Sequence, residues 1–465
     1  MLILTHRAPV QFCLQSDGSY EAAAAPGGVA SVIRGLCLVG AKGTGGAGRV
    51  ECIAAAVGRD RVALNSGIHP PSGMHLLPFD EAIHTLHYKY VCNSVLWYVL
   101  HDLYDEALPD FDDRFVEAWR AYSEVNHQFA EFTAGVASSG ETIVINDYQL
   151  ALVPQMLRQL RPDVPIVHFF HTPFPSPSVF SVLPDHVARA LIDSWMATPV
   201  GFQTTRWERN FCETVGKLYG SEPAFTFVAP LGPNPSMLHQ AAQSSLAEQA
   251  GGEIDRLVDA EALMVLRVER LDPSKNTIRG IKAFDLLLDR RPAWRQRAQL
   301  LICLIPSRQG IEAYDAYQQG IVEEVARVNN RWASSHWQPI VLVVRDDYFQ
   351  SIAALQRYDV LFVNSISDGM NLVAKEGPIL NRRNGVLCLS EEAGAFAELE
   401  EACLRVVPFD NAQAAEALHV ALSMAADERA ARASKLRSLA AIHTPATWLQ
   451  ALVDAAKPAQ ALCPK

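Results

Sequence analysis

The feature that most restricts the fold is the recurrence of short, β-branched apolar runs of strand length, each parted from the next by a stretch long enough for a helix. Residues 142–145, 165–170 and 200–203 are such runs in the first half. Residues 263–268, 300–305, 340–344, 360–363, 386–389 and 404–407 form a second series. Strands joined through helices run parallel and are covered on both faces. Between the two series, after Pro230-Leu231-Gly232-Pro233-Asn234-Pro235, lies a segment rich in Ala, Gln, Ser and Gly. The pattern predicts an α/β protein of two Rossmann-like domains, residues 1–238 and 239–443, with a C-terminal helix in 444–465 that packs back on the first. Ligands of such sheets bind beyond the carboxyl ends of the strands, so a central cleft between the domains is expected.

Composition narrows the function classes. The 465 residues carry 40 Lys and Arg against 51 Asp and Glu, a net charge of −11, which repels polyanions, so nucleic acid is not an expected partner. The nine cysteines are scattered and include no Cys-x-x-Cys pair, which reads as reduced, mostly buried thiols. No apolar run approaches the roughly 18 residues that span a bilayer, and residues 2–7 lack the pattern of a signal peptide. A cytoplasmic protein without a membrane partner is expected. A homo-oligomer is left open.

Two motif matches are set aside. Gly43-Thr44-Gly45-Gly46-Ala47-Gly48 fits the dinucleotide fingerprint, but that motif must follow a strand and open a helix, and here the order is reversed. Asp110-Phe111-Asp112 resembles a metal-binding Asp-x-Asp, yet acids just before a helix that starts near Asp113 explain it more simply. Neither a metal nor a cofactor is expected.

Four other stretches carry possible chemistry. Pro26-Gly27-Gly28 opens a helical run, where bare amides can meet an anion, or it is a simple turn. Arg270 and Lys275 stand five positions apart on a turn after a strand, either a clamp for a diphosphate or solvated surface charge. Asn364 to Glu376 follow another strand. There Gly369 frees the backbone, the helix that begins near Leu372 aims its positive end outward, and Glu376 lies one turn in, placed for ribose hydroxyls. Asn146-Asp147-Tyr148-Gln149 and His171-Thr172-Pro173-Phe174-Pro175 end successive strands of the first half and either hydrogen-bond a neutral polyol or, as is commoner for a lone His, serve the structure.

In this order the stretches resemble the trehalose-6-phosphate synthase family, retaining glycosyltransferases of GT-B architecture. The most specific piece is Asp368-Gly369-Met370-Asn371-Leu372-Val373-Ala374-Lys375-Glu376. Val268-Glu269-Arg270-Leu271-Asp272 with Ser274-Lys275, the His171-x-Pro-Phe-Pro run, and Leu389-Ser390 followed by Ala393-Gly394-Ala395 support it. The resemblance implies transfer of glucose from a nucleotide-glucose donor to glucose 6-phosphate. Arg270 and Lys275 would hold the diphosphate with the amides of Gly28 and of Met370, Asn371 and Leu372, Gly27 and Gly369 would also line the donor site, and Glu376 would take the ribose. Asp368 and His171 would hold the glucosyl hydroxyls. Arg7, Tyr88, Trp97, Asp147 and Arg308 match the family's acceptor positions, with Trp97 offering a flat face to a sugar ring.

The chain departs from the family pattern at three places. Asn146 and Gln149 replace two histidines, Asn276 replaces the usual Gly after Lys275, and Asn364-Ser365 replaces a Thr-Pro pair. The last two changes resemble pseudo-glycosyltransferases that use GDP-linked donors. GDP-glucose is therefore favoured over UDP-glucose, with groups near Asn364 reading the purine edge. The alternatives are a pseudo-glycosyltransferase joining a GDP-linked cyclitol to an aminocyclitol phosphate, a glucosylglycerol-phosphate synthase, and a silent sugar-phosphate sensor.

Overall fold

The computed structural model describes residues 1–24, 28–39, 49–104, 108–223 and 225–461. They divide into two compact units, 1–231 with 445–465, and 232–444. The chain thus leaves the first unit before residue 238, because the helix Pro235–Ala242 buries Leu238 in the core of the second unit. The helix Pro445–Ala461 belongs to the first unit, where Trp448 is buried with its ring 5.4 Å from that of Phe169 in a T-shaped contact.

In the first unit the strands are β1 (Leu2–Arg7), β2 (Val10–Leu14), β3 (Tyr20–Ala24), β4 (Glu51–Ala56), β5 (Met74–Pro78), β6 (Ile143–Asn146), β7 (Ile166–Phe169), β8 (Val200–Phe202) and β9 (Thr226–Val228). Seven of them form one sheet in the order β5-β4-β1-β6-β7-β8-β9, with all of its pairs parallel. The remaining two, β2 and β3, form an antiparallel hairpin. In the second unit β10 (Leu263–Arg270), β11 (Ala298–Ile305), β12 (Ile340–Val344), β13 (Val360–Val363), β14 (Val386–Ser390) and β15 (Leu404–Val406) line up as β12-β11-β10-β13-β14-β15, all parallel. Counted within the unit this order is 3-2-1-4-5-6, that of the doubly wound dinucleotide fold. The order reverses between β1 and β6 in one sheet and between β10 and β13 in the other, which is where such sheets open a crevice at their carboxyl ends.

The two-residue period of a strand shows in the packing. Met264, Leu266, Val268, Leu301, Cys303, Leu361 and Val363 face one core of the second unit, and Val265, Leu300, Ile302, Leu304, Val360 and Phe362 the other. Burial on both faces fixes register, because a slip of one residue would exchange the two sets. Of the eight described cysteines, all are free thiols and five are buried. No helix among the described residues is long and apolar enough to cross a membrane.

Candidate active site

In the second unit the site is built from the turn after β10 and the loop after β13. Arg270 closes β10, and Asp272 caps the single 3-10 turn Pro273–Lys275 by accepting from the Ser274 amide at 3.1 Å. The other oxygen of this fully buried carboxylate accepts from Arg308 Nη1 at 2.6 Å, and Arg270 Nη2 lies 3.8 Å from it. Two guanidiniums therefore share one carboxylate oxygen. Arg308 has a φ of 52° and also donates to the Tyr314 hydroxyl at 2.7 Å. Its side chain is buried, whereas that of Arg270 is one-third exposed.

Beyond β13, Asp368 gathers the polar groups. Its Oδ2 accepts from the Lys275 ammonium, from Asn371 Nδ2 at 3.0 Å and from Ser365 Oγ at 3.3 Å. Asn371 stands at φ 72°, a left-handed conformation that Asn tolerates better than most residues, and its Oδ1 accepts from the Ala374 amide at 3.1 Å to cap the helix Val373–Leu380. The amides of Met370, Asn371 and Leu372 make no hydrogen bond among the described residues. Three successive donors at a helix N-terminus suit an anion. The loop cannot drift, because Gly394 and Ala395 donate to the carbonyls of Asp368 and Met370 at 3.0 and 2.8 Å. Glu376 follows on the first turn. Burial pushes its carboxyl up to about 7, and no described residue pairs with it. Its neighbour Lys375 is buried against Glu398 at 2.7 Å.

In the first unit the ends of β1, β6, β7 and β8 carry the polar groups. Asp147, just past β6, has φ 61° and ψ 175°, a conformation that costs a non-glycine residue roughly 1–3 kcal/mol and gathers at functional sites. Its Oδ1 accepts from the amides of His171 at 2.8 Å and Thr172 at 3.2 Å, which offsets the strain. The His171 ring is held at both nitrogens. Gln203 Oε1 takes the Leu231 amide at 2.8 Å, so its amino group faces His171 Nδ1 at 3.2 Å. Asn146 Nδ2 donates to the Leu4 carbonyl at 3.1 Å, so its oxygen accepts from His171 Nε2 at 2.9 Å. These partners assign the tautomer with hydrogen on Nε2. Burial lowers the imidazole to about 3, so it is neutral. At the end of β1 Arg7 is exposed, and Tyr88 stacks on the neighbouring His6 with ring centres 4.6 Å apart.

The model of the family described as Glycosyltransferase family 20 matches residues 61–458. The chain belongs to this family. It is 28% identical to an alpha,alpha-trehalose-phosphate synthase (UDP-forming) of Botryotinia fuckeliana, over 98% of this chain and 88% of that protein. It is 27% identical to the alpha,alpha-trehalose-phosphate synthase (UDP-forming) A of Dictyostelium discoideum over 96% of its own length, and spans 61% of that longer protein. Among solved structures, the alpha,alpha-trehalose-phosphate synthase (UDP-forming) of Burkholderia vietnamiensis superposes with a TM-score of 0.81 at 26% identity, covering 98% of this chain and 99% of that one. A protein from E. coli bound with UDP-2-fluoro glucose superposes with a TM-score of 0.82 at 24% identity, covering 100% and 99%, a likeness of fold.

Within this family-20 chain the structure shows what holds each residue named from the sequence. Arg308, grouped with the acceptor residues, sits in the second unit on Asp272, the carboxylate that Arg270 also approaches. Trp97 is only 5% exposed and lays its ring on His101 at 3.7 Å, so packing holds it and it presents no open face. Asn364 is buried, its Oδ1 accepting from Arg267 Nη1 at 2.5 Å and its carbonyl from Asn276 Nδ2 at 3.1 Å. His171 meets Asn146 and Gln203 with its two nitrogens, which fixes its ring at the ends of β6, β7 and β8. Gly28 opens the helix Gly28–Val39, while Gly27 and the glycine-rich 43–48 lie outside the described residues. Asp112 caps the helix Asp113–Val136 through the Phe115 amide at 3.1 Å, the helix-start role expected of it. Among the described residues no three His, Cys, Asp or Glu side chains are grouped to hold a metal. The sequence reading missed Asp272 and Gln203 as partners. Their signal is position, since each directly follows a strand that ends at the site.

Proposed function

We propose that this chain is a retaining glucosyltransferase that moves glucose from UDP-glucose to glucose 6-phosphate and yields trehalose 6-phosphate. The observation that carries the reading is the second unit's cluster. Arg270, Arg308 and Lys275 are each anchored on a carboxylate, and three unpaired amides at 370–372 stand on the same loop as Asp368. Cations and amides fixed before substrate arrives stabilise a departing diphosphate without reorganising, which is the largest usual source of rate in such a step. The C–O bond from the anomeric carbon to the diphosphate breaks, the acceptor hydroxyl forms the new bond on the same face, and the leaving phosphate oxygen takes the hydroxyl proton. Glu376 accepts the ribose hydroxyls. Arg7, Tyr88 and Asp147 of the first unit are the acceptor candidates, Arg7 by charge for the 6-phosphate.

The donor assignment moves from GDP-glucose to UDP-glucose because the synthases of Botryotinia fuckeliana and Burkholderia vietnamiensis are described as UDP-forming. The free thiols fit a reducing, cytoplasmic compartment. The test is nucleotide release from UDP-glucose or GDP-glucose, each with glucose 6-phosphate or glycerol 3-phosphate, and the configuration of the product by NMR. Release of UDP with glucose 6-phosphate alone is the expected result. Release only with GDP-glucose would restore the other donor, release only with glycerol 3-phosphate would change the acceptor, and no release in any arm would end the reading.

A further inference from the structure

Beneath the cations of the second unit lies a buried polar layer made of Arg267, Asn276 and Asn364. Arg267, two residues after Val265, points to the same face of β10 and is completely buried. Its guanidinium is neutralised by Glu269, with Nη2 2.8 Å from Oε2 and Nε 3.1 Å from Oε1, and lies 5.0 Å from the centre of the Phe362 ring. Its remaining donors cross the switch point between β10 and β13. Nη2 donates to the Lys275 carbonyl at 2.9 Å and Nη1 to Asn364 Oδ1 at 2.5 Å. Gly280, on the helix Thr277–Arg290, makes the room, because a Cβ there would stand 2.2 Å from Nη1.

Asn276 completes the layer. It stands at φ 61°, ψ 35°, a left-handed conformation in which Gly would sit without strain, and its side chain is buried. Its Nδ2 donates to the carbonyls of Asn364 at 3.1 Å and Pro408 at 2.7 Å, and next to it the Ile366 amide donates to the Ser274 carbonyl at 2.8 Å. The main chain of Lys275 is therefore fixed from below to the strand end that leads into Asp368, while its ammonium is fixed from above to Asp368 itself.

We propose that Arg267 and Asn276 are positioning residues that staple the Lys275 turn to the Asn364–Asp368 loop and so set where the Lys275 ammonium meets a nucleotide's diphosphate. The proposal rests on the reading of this site as a diphosphate clamp. Because Glu269 cancels the charge of Arg267, the pair adds little field of its own and acts through the placement of Lys275.

The experiment is a double-mutant cycle on UDP binding by calorimetry, with Asn276→Gly, Lys275→Ala and the double variant, and with melting temperatures alongside. Asn276→Gly keeps the backbone conformation and is expected to fold, with UDP binding weakened by about tenfold, whereas in the Lys275→Ala background the same change has no further effect. Arg267→Lys keeps a cation for Glu269 but cannot serve both loops at once, and is expected to lower affinity in the same non-additive way. Equal losses in the two backgrounds, or undiminished UDP binding by a folded Asn276→Gly protein, would overturn the staple while leaving the clamp intact. A wild-type protein that binds no UDP would overturn the clamp reading and the staple with it.

Discussion

Glu376 offers the sharpest test, because one carboxyl should leave opposite marks on stability and on donor binding. Burial raises it from the usual 4.5 to about 7 in the free protein. The folded state then binds this proton more tightly than the unfolded chain, so stability falls as pH rises from about 4.5 to about 7 and stays lower above that. The interval corresponds to about 3 kcal/mol, an upper figure since part of the side chain is open to water. Glu376→Gln, neutral at every pH, should gain up to that amount in urea denaturation at pH 8 and almost nothing at pH 4.5. Binding should move the other way. If ribose hydroxyls donate to the ionised carboxylate, apparent dissociation constants scale as one plus the ratio of proton concentration to the acid constant. The factor is about 1.1 at pH 8 and about 11 at pH 6. UDP-glucose is the ligand to titrate, since its diphosphate gains no proton in this range. Wild-type affinity should drop about tenfold from pH 8 to pH 6, and the Gln variant should bind weakly with a flat profile. A wild-type profile that is also flat, or a Gln variant less stable than wild type at pH 8, would refute the assignment.

Other expected outcomes follow from the same geometry. Arg270→Ala should lower turnover by about 100-fold or more, the scale of losing one preorganised charge at a developing anion, and unchanged kinetics would remove Arg270 from the site. Gly394→Ala would bring a Cβ within 2.0 Å of the Gly369 carbonyl oxygen, so stability should fall by about 1–3 kcal/mol and UDP affinity with it; an unchanged melting temperature would show that the 368–370 loop yields. Asp147→Gly and Asp147→Ala both lose the hydrogen bonds to His171 and Thr172, but only Gly relieves the backbone, so the Gly variant should be the more stable by about 1–3 kcal/mol in urea denaturation. Equal stabilities would mean that Asp147 stores no strain.

The second unit was legible because its central strands β11, β13 and β14 are buried on both faces and read as nearly continuous apolar runs, and each of the six runs is a strand in the structure. The β2–β3 hairpin was not, since Tyr20–Ala24 has neither a continuous apolar run nor a two-residue alternation. Nor was the π-helical segment Thr85–Leu96, whose period helical patterning does not search and where the side chains of Asn93 and Ser94 also donate to the carbonyls of Tyr88 and Lys89. At the site, the residues named by motif could be found singly, but partnership could not. That His171 is claimed by Asn146 and Gln203 follows from β6, β7 and β8 being neighbours, and that Arg308 meets Asp272 follows from β11 lying beside β10. Sheet order is what turns separate strand ends into one site, and it lies between elements, beyond the reach of any local pattern.

The placement of the carboxylates decides what kind of anion the second unit favours. Arg270, Arg308 and Lys275 carry three positive charges, and Asp272 and Asp368 return two, so the resting cluster keeps a small positive excess with every cation already aimed. Without those anchors three cations close together would repel one another and swing into water. With them, much of the desolvation of the charges is met on folding, most fully at Arg308, whose side chain is buried. A sugar-linked diphosphate brings two negative charges and a free nucleoside diphosphate nearly three, so the attraction grows as the glycosidic bond breaks. A site that gains interaction along the reaction coordinate lowers the barrier, where one that merely held the donor tightly would not. On the proposed reading the carboxylates belong to the catalytic design as much as the cations do: replacing Asp272 by Asn should raise the positive charge of the cluster and yet slow turnover, because Arg270 and Arg308 would lose the oxygen on which both converge.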